Sequence, residues 1–156
     1  MAKYRILSES ELKTFEKEFV DYLVVNGITA DDWVKMKTDE NEKALKIVDL
    51  FSDVILESVL RKIQFLEIRT NAYVQAIQCL DEKMIMIAIS SKDVRYKMTD
   101  LNPETPKDVI SEYFELHQGE KNYDGSREMA LFEMTEKGYE ISDGKLFKTL
   151  LMASVE

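Results

Sequence analysis

Glycine and proline are scarce in this sequence, with five Gly and two Pro among 156 residues. Ordinary chains contain about 12% of these two residues together, so the shortage disfavours collagen-like repeats, long linkers and turn-rich all-β sandwiches. A chain of this length is typically one globular domain. We therefore expect a single domain over residues 1–156, built from regular elements with short connections.

Cysteine and histidine are almost absent, because the chain has only Cys79 and His117. One cysteine excludes an intramolecular disulfide and a multi-cysteine metal site, and it suits a reducing compartment. His117 has no motif partner for catalysis, and we predict that it lies in the last turn of a helix. Glycine-rich phosphate loops and nucleophile elbows are also missing, so we predict no cofactor and no catalytic residue.

Long apolar runs are missing as well. The longest uninterrupted run, Met84 to Ile89, has six residues, whereas a membrane-spanning helix needs about 20. The first residues carry charges before any apolar signal core forms. We expect a cytoplasmic protein that makes no membrane contact.

Negative charge dominates, since 21 Lys and Arg oppose 30 Asp and Glu for a formal net charge of −9. Residues 1–64 hold 10 basic and 13 acidic residues, and residues 65–102 hold five of each. The remaining six basic and twelve acidic residues lie in 103–156. Most of this surface would repel nucleic acid, which we exclude as a partner, and only the middle third is electrostatically permissive.

Residues 8–64 predict a helical region. Ser8 and Glu11 have the spacing of a capping box, and apolar residues follow along one helical stripe. Asn26-Gly27 supplies a left-handed residue that ends a helix. The pattern predicts a first helix over residues 9–26.

Two more helices are expected before the middle third. Thr29 is a suitable cap for a short helix that carries Trp33, the single tryptophan. A longer helix over about residues 39–62 is apolar nearly all round in its second half, which implies burial by more than one neighbour.

The hydrophobic period changes after residue 64. Apolar and polar residues alternate or β-formers accumulate in four segments, and their connections are short. Short links between successive strands indicate an antiparallel meander. Strands are expected over residues 65–70, 72–80, 84–90 and 94–99.

Helical patterns return after the loop that contains Pro103 and Pro106. Proline at a first helical position predicts a helix from Pro106 to about Gly119. The segment 126–137 is interpreted as a helix, although its apolar run would also suit a strand. Ser142 is the cap of a last helix or part of a hairpin turn.

The order of elements predicts an α+β fold. It comprises N-terminal helices over 8–64, a four-stranded antiparallel meander over 65–100, and C-terminal helices over 105–154.

Three segments of the first third resemble a family of small uncharacterised bacterial proteins of the Bacteroidetes type. They are Lys3-Tyr4-Arg5, Phe15-Glu16-Lys17-Glu18-Phe19 and the run from Asn26 to Trp33. The similarity is clearest over residues 1–50. It implies a bacterial cytoplasmic protein, and the family offers no catalytic or binding residues that could be transferred.

One helical stripe carries the acids Asp49, Asp53 and Glu57 at intervals of four residues. Clustered carboxylates can bind Mg²⁺, and a metal held there could act on nucleotide phosphates. Glu57 also precedes Arg61 by four residues, which is the favourable order for an exposed ion pair. The stripe is therefore either a solvated face or a metal site.

The predicted sheet has an apolar face at Met84 and Met86 and cationic side chains at Arg69, Arg95 and Lys97. The methionines are either core or an adaptable docking surface. Likewise, the cations either protect an edge strand from aggregation or bind an acidic partner.

Trp33 is either a core residue or an interface anchor. The leading hypothesis is a non-enzymatic cytoplasmic interaction or regulatory domain with a protein partner. The alternative is a metal-dependent enzyme that acts on nucleotides through Asp49, Asp53 and Glu57.

Overall fold

In the computed structural model, which describes residues 2–93 and 95–155, helices come first along the chain and a sheet follows. The chain divides into two compact units, Met1–Arg61 and Lys62–Glu156. We call them the N-unit and the C-unit and describe each by itself. The expectation of one domain over 1–156 stays a prediction.

The helices of the first region have the bounds α1 (Glu9–Thr14), α2 (Glu16–Val25), α3 (Ala30–Asp39) and α4 (Asn41–Lys62). The single helix predicted over 9–26 is therefore wrong in one respect, because Phe15 separates α1 from α2 with φ −101° and ψ 26°. Neither glycine nor proline marks this break, and the apolar stripe runs through it. Sequence periodicity could not locate it.

Both predicted caps are present. The Ser8 hydroxyl accepts the Glu11 N–H at 3.2 Å, and the Glu11 carboxylate accepts the Ser8 N–H at 3.0 Å. Thr29 and Asp32 make the same reciprocal pair at the start of α3. Satisfying these N–H groups fixes where each helix begins.

The C-unit contains a five-stranded sheet in which all neighbours are antiparallel, in the order β4-β3-β2-β1-β5. This confirms the α+β class with an antiparallel sheet. The strands are β1 (Phe65–Arg69), β2 (Val74–Cys79), β3 (Lys83–Ser91), β4 (Phe114–Asn122) and β5 (Glu140–Ile141). The helices are α5 (Lys107–Tyr113), α6 (Arg127–Glu136) and α7 (Lys145–Ser154).

The predicted fourth strand over 94–99 is wrong, although Val94 itself lies outside the described residues. The chain turns at Tyr96 and forms a short 3₁₀ helix over Met98–Asp100. The Ser91 hydroxyl holds this turn, with its Oγ 2.6 Å from the Asp93 carbonyl oxygen and 2.7 Å from that of Tyr96. Local side-chain hydrogen bonds of this kind compete with extended structure.

The predicted helix from Pro106 to Gly119 is too long, because α5 ends at Tyr113 and the chain continues as β4. β4 occupies the position beside β3, in register from Ser91↔Phe114 to Lys83↔Asn122. His117 is consequently not in a last helical turn. It lies on β4 with its side chain 70% exposed.

The last two predicted helices are confirmed as α6 and α7. Ser126 caps α6, where its hydroxyl accepts the Met129 N–H at 3.2 Å. Ser142 does not cap α7 directly. Its hydroxyl accepts the Gly144 N–H at 3.0 Å, and Gly144 with φ 84° precedes the helix.

One face of the sheet forms the main core of the C-unit. Val74, Ala76, Ile87 and Ile89 lie buried on it and pack with α5 and α7, which contribute Ile110, Leu146, Phe147 and Leu150. Alternation along the strands directs Leu66, Ile77, Cys79 and Met84 to the opposite face, where they are also buried.

Candidate interaction surface

The predicted methionine face of the sheet, Met84 and Met86, is largely covered in the structure. Met84 is only 4% exposed and Met86 is half-buried. A side chain as buried as Met84 contacts the rest of the fold and offers nothing to a partner. We therefore do not retain it in the candidate surface.

Trp33 is half-buried in the N-unit. Its ring stands edge-to-face against Phe19, with centroids 5.1 Å apart, and Phe19 meets Phe51 at 4.9 Å. Such edge-to-face pairs stabilise a core beyond their buried area. Trp33 thus contacts the aromatic residues of the N-unit core through Phe19, and its role as an interface anchor stays a prediction.

The acidic stripe of α4 binds the start of the chain. One oxygen of Asp53 accepts the Lys3 N–H at 2.8 Å and the Tyr4 N–H at 3.2 Å. Glu57 accepts the Tyr4 hydroxyl, and this hydrogen bond holds the pKa of that carboxyl below its usual value. These two carboxylates therefore act as anchors for the chain.

Among residues 2–93 and 95–155, no group of three or more His, Cys, Asp or Glu side chains is arranged to hold a metal ion. The metal site predicted at Asp49, Asp53 and Glu57 stays a prediction.

The predicted cations Arg69, Arg95 and Lys97 gather around residues 91–99, which we call the basic loop. The Arg69 guanidinium, at the end of β1, donates to the Met98 carbonyl oxygen of this loop. β1 and the basic loop are therefore adjacent although 29 residues separate these two positions.

Arg95 has its charge paired within the loop. Its guanidinium donates to Asp93 at 2.7 and 3.1 Å and lies 5.3 Å from the centre of the Tyr113 ring. These hydrogen bonds lower the pKa of Asp93. Because it is paired, Arg95 shapes the loop more than it attracts a ligand.

Tyr96 is held in place by stacking on Tyr113, with ring centroids 4.4 Å apart and planes 28° apart. Together with Ser91, which bonds the loop backbone, this stack restricts the loop conformation. A preformed loop loses less conformational entropy when it binds.

A cleft of about 380 Å³ opens on this loop. Two exposed lysines, Lys92 and Lys97, line it together with donor groups from Asn71 and Thr99, and it is completed by Ser91, Asp93, Tyr96 and Met98. The basic loop carries three cations and one acid, a formal charge of +2 in a chain of −9. The site offers hydrogen-bond donors and positive charge to an anionic group.

Sequence reasoning identified Lys97 but missed Lys92, Asn71 and Thr99. Lys92 was assigned to a connection between strands, and Asn71 to the β1–β2 turn. Only the fold brings this turn beside residues 92–99. Asp93 and Arg95 are two residues apart in the sequence, and their pairing favours a turn. The expected strand left this local signal unused.

The molecule is thus an α+β protein with an antiparallel sheet and a polar, cationic cleft at one sheet end. Within the part of the chain that the structure describes, no helix has the length and hydropathy needed to cross a membrane.

The chain belongs to the DUF6495 family, a family of unknown function whose model matches residues 1–154. This confirms the resemblance to an uncharacterised family. No curated protein and no solved structure matches the chain.

Proposed function

We propose that this protein is a non-enzymatic interaction or regulatory domain of the bacterial cytoplasm. Its basic loop binds an acidic segment of a partner protein. The observation that carries the proposal is the cleft in which Lys92 and Lys97 lie beside uncharged donors. The resemblance of the first third and the single buried cysteine support the proposed compartment.

Charge selects the partner chemistry. The protein repels most acidic molecules through its net charge of −9, so an acidic segment can approach productively only where the local charge is positive. Complementary potentials of this kind increase association rates and suppress wrong orientations. The repulsion elsewhere disfavours long polyanions, such as nucleic acids, more than a short acidic segment.

The uncharged residues that line the cleft favour a peptide over a small inorganic anion, because a peptide also has apolar groups to bury. Tyr96 and Met98 give the cleft an apolar component beside the Asn71 and Thr99 donors. Tyr96 also lines a second cleft of about 320 Å³, together with Asp100, Glu104, Pro106, Val109 and neighbouring residues. An extended segment can therefore lie across Tyr96 with its acids at the lysines.

Binding of a fluorescent Glu-rich peptide, followed by anisotropy at low salt, tests the proposal. Lys92→Glu/Lys97→Glu should weaken binding about tenfold or more, and added salt should weaken binding of the native protein. The matched control is Lys17→Glu/Lys43→Glu, which exchanges two exposed lysines of the N-unit for acids. Both double variants change the net charge by −4, from −9 to −13.

The control variant should bind within about twofold of the native protein, because its charges lie outside the cleft. Equal losses in the two variants would show a bulk charge effect and contradict the proposal. Absence of binding by the native protein at low salt would also contradict it.

A further inference from the structure

β4 forms one edge of the sheet, and seven of its nine residues are exposed. It pairs with β3 along its whole length, and within the described residues no strand pairs with its other side. From Gln118 to Asn122 every side chain is exposed. A long edge without proline is a template for another strand.

The hydrogen-bond phase of β4 follows from one contact. Lys92 donates its N–H to the Tyr113 carbonyl oxygen at 2.8 Å. Lys92 and Tyr113 are therefore a hydrogen-bonded pair, in which the backbone N–H and C=O groups of each residue point towards the other strand. Because this pattern alternates in an antiparallel pair, the odd-numbered residues of β4 bond to β3. Backbone groups at Leu116, Gln118 and Glu120 consequently point away from the sheet.

The charges on this edge are arranged symmetrically. Glu115 and Lys121 are both exposed, lie on the same face of β4 and are each three residues from Gln118. Edge charges usually oppose strand pairing. If two β4 strands met here in antiparallel orientation about Gln118, however, charges of unlike sign would lie opposite each other and attract.

We propose that β4 pairs with β4 of a second copy of this chain about a two-fold axis at Gln118, which joins the two sheets into one. The backbone of Gln118 in one copy then exchanges two N–H···O=C bonds with the backbone of Gln118 in the other copy. Glu115 of each copy lies opposite Lys121 of the other, at a non-hydrogen-bonded pair where side chains are closest. The interface is isologous, as two-fold symmetry requires.

Neighbouring registers are less favourable. A shift of the axis to His117 places two histidines opposite each other, and a shift to Gly119 places His117 opposite Lys121. Neither register brings Glu115 opposite Lys121. In the proposed register His117 faces Gly119, which has no side chain, and a Cβ at that glycine would meet no atom within 4 Å.

Sedimentation equilibrium of the full chain, over a concentration series up to about 1 mM, tests the association. The native protein should form a reversible dimer. Lys121→Glu should weaken dimerisation about tenfold, because it converts two attractive pairs to repulsive ones. The exchange variant Glu115→Lys/Lys121→Glu should restore the native dissociation constant within about twofold.

Cysteine crosslinking tests the register. Gln118→Cys should form an intermolecular disulfide on oxidation, since the two copies of this residue lie opposite each other. Glu120→Cys should not, because its two copies are about 13 Å apart along the strands. A mixture of Leu116→Cys and Glu120→Cys proteins should give the mixed disulfide, while Cys79 is buried and gives a low background.

A native protein that stays monomeric throughout the series overturns the proposal, as does a dimer that Lys121→Glu leaves unchanged. Equal crosslinking at positions 118 and 120 overturns the register. Circular dichroism of each variant shows whether the fold is retained, and the exchange variant distinguishes a charge effect from a folding defect.

Discussion

The two units are held by different kinds of contact. In the N-unit, α4 binds the start of the chain through specific hydrogen bonds, and the Ser52 hydroxyl accepts the Leu7 N–H at 3.0 Å. In the same unit Val24 and Val25, at the end of α2, are 68% and 85% exposed. In the C-unit, tightly buried aliphatic side chains cover both faces of a sheet. We infer that steric substitutions cost most in the C-unit, and that one polar anchor in each unit makes a smaller contribution to its stability.

The largest expected effect is steric and concerns the C-unit. A Cβ at Gly144 would lie 2.5 Å from the Phe65 ring, and φ is +84°. Gly144→Ala should therefore cost about 3 kcal/mol in the free energy of unfolding. Gly27 in the N-unit also has a positive φ of +73° but no atom within 4 Å of such a Cβ, so Gly27→Ala should cost about 1 kcal/mol. Urea denaturation measures both, and equal losses would contradict the steric account.

A second variant tests whether the C-unit also depends on a polar anchor. Arg127, at the start of α6, donates to the carbonyl oxygens of Ile63, Cys79 and Leu80. Arg127→Met keeps much of the side-chain volume but removes these charge-assisted bonds, and we expect a loss of about 2 kcal/mol.

Arg61→Met is the control for Arg127→Met, because the exposed Arg61 pairs with Glu57 at 3.4 Å and makes no other ion pair among the described residues. Its effect on the urea midpoint should correspond to less than about 0.5 kcal/mol. A negligible effect of Arg127→Met would mean that the C-unit depends on steric packing alone. The difference between the two units would then be larger than we expect.

The hydroxyl anchor of the N-unit should have a slightly smaller effect. Ser52 is fully buried, and Ser52→Ala would leave the Leu7 N–H without its acceptor, at a cost of about 1.5 kcal/mol. Thr38→Ala is the matched control, because the hydroxyls of Thr38 and Ser52 each donate to the carbonyl oxygen four residues earlier, but Thr38 is exposed. Amide exchange of Leu7 should accelerate only in Ser52→Ala, and acceleration in both would argue against a specific anchor.

The smallest effect is a pH dependence of the N-unit. Hydrogen bonds from the Arg5 guanidinium and from the Ser8 backbone lower the pKa of Glu11 from 4.5 to about 2. A lowered pKa in the folded state means that the unfolded chain binds the proton more strongly between these values, so stability rises with pH. The Glu11 contribution should be complete above pH 4.5 and lost as pH falls towards 2.

Thermal unfolding of the native protein and of Glu11→Gln, followed between pH 5 and 2, measures this contribution. The difference in midpoint between the two proteins should shrink as pH falls, because the native carboxyl becomes protonated. A difference that is constant over this range would mean that Glu11 acts through its shape and not its charge.

Several elements could be predicted from local sequence because their physical causes are local. The Ser8 and Thr29 caps bond residues three positions away, and the apolar stripes of α3 and α4 fit a helical period. The β1–β2–β3 meander was also predictable, since its strands are joined by short turns.

The candidate site was only partly predictable. Arg95 and Lys97 were singled out as members of a strand, but their actual setting is a loop held by the Ser91 hydroxyl and closed against β1 through Arg69. The lysine pair Lys92 and Lys97 becomes a site only where Asn71 lies beside it. No spacing in the sequence encodes that proximity.

The sequence by itself determined the α+β class, the starts of α1, α3 and α6 and the uneven distribution of charge, because capping, periodicity and composition act over a few residues. Tertiary structure decided which segment completes the sheet. Residues 114–118 suit a helical stripe and an alternating strand alike, and pairing with β3 resolved the ambiguity in favour of the strand. That pairing placed Glu115, Gln118 and Lys121 along a free edge, since it satisfies the backbone groups of only one side of β4.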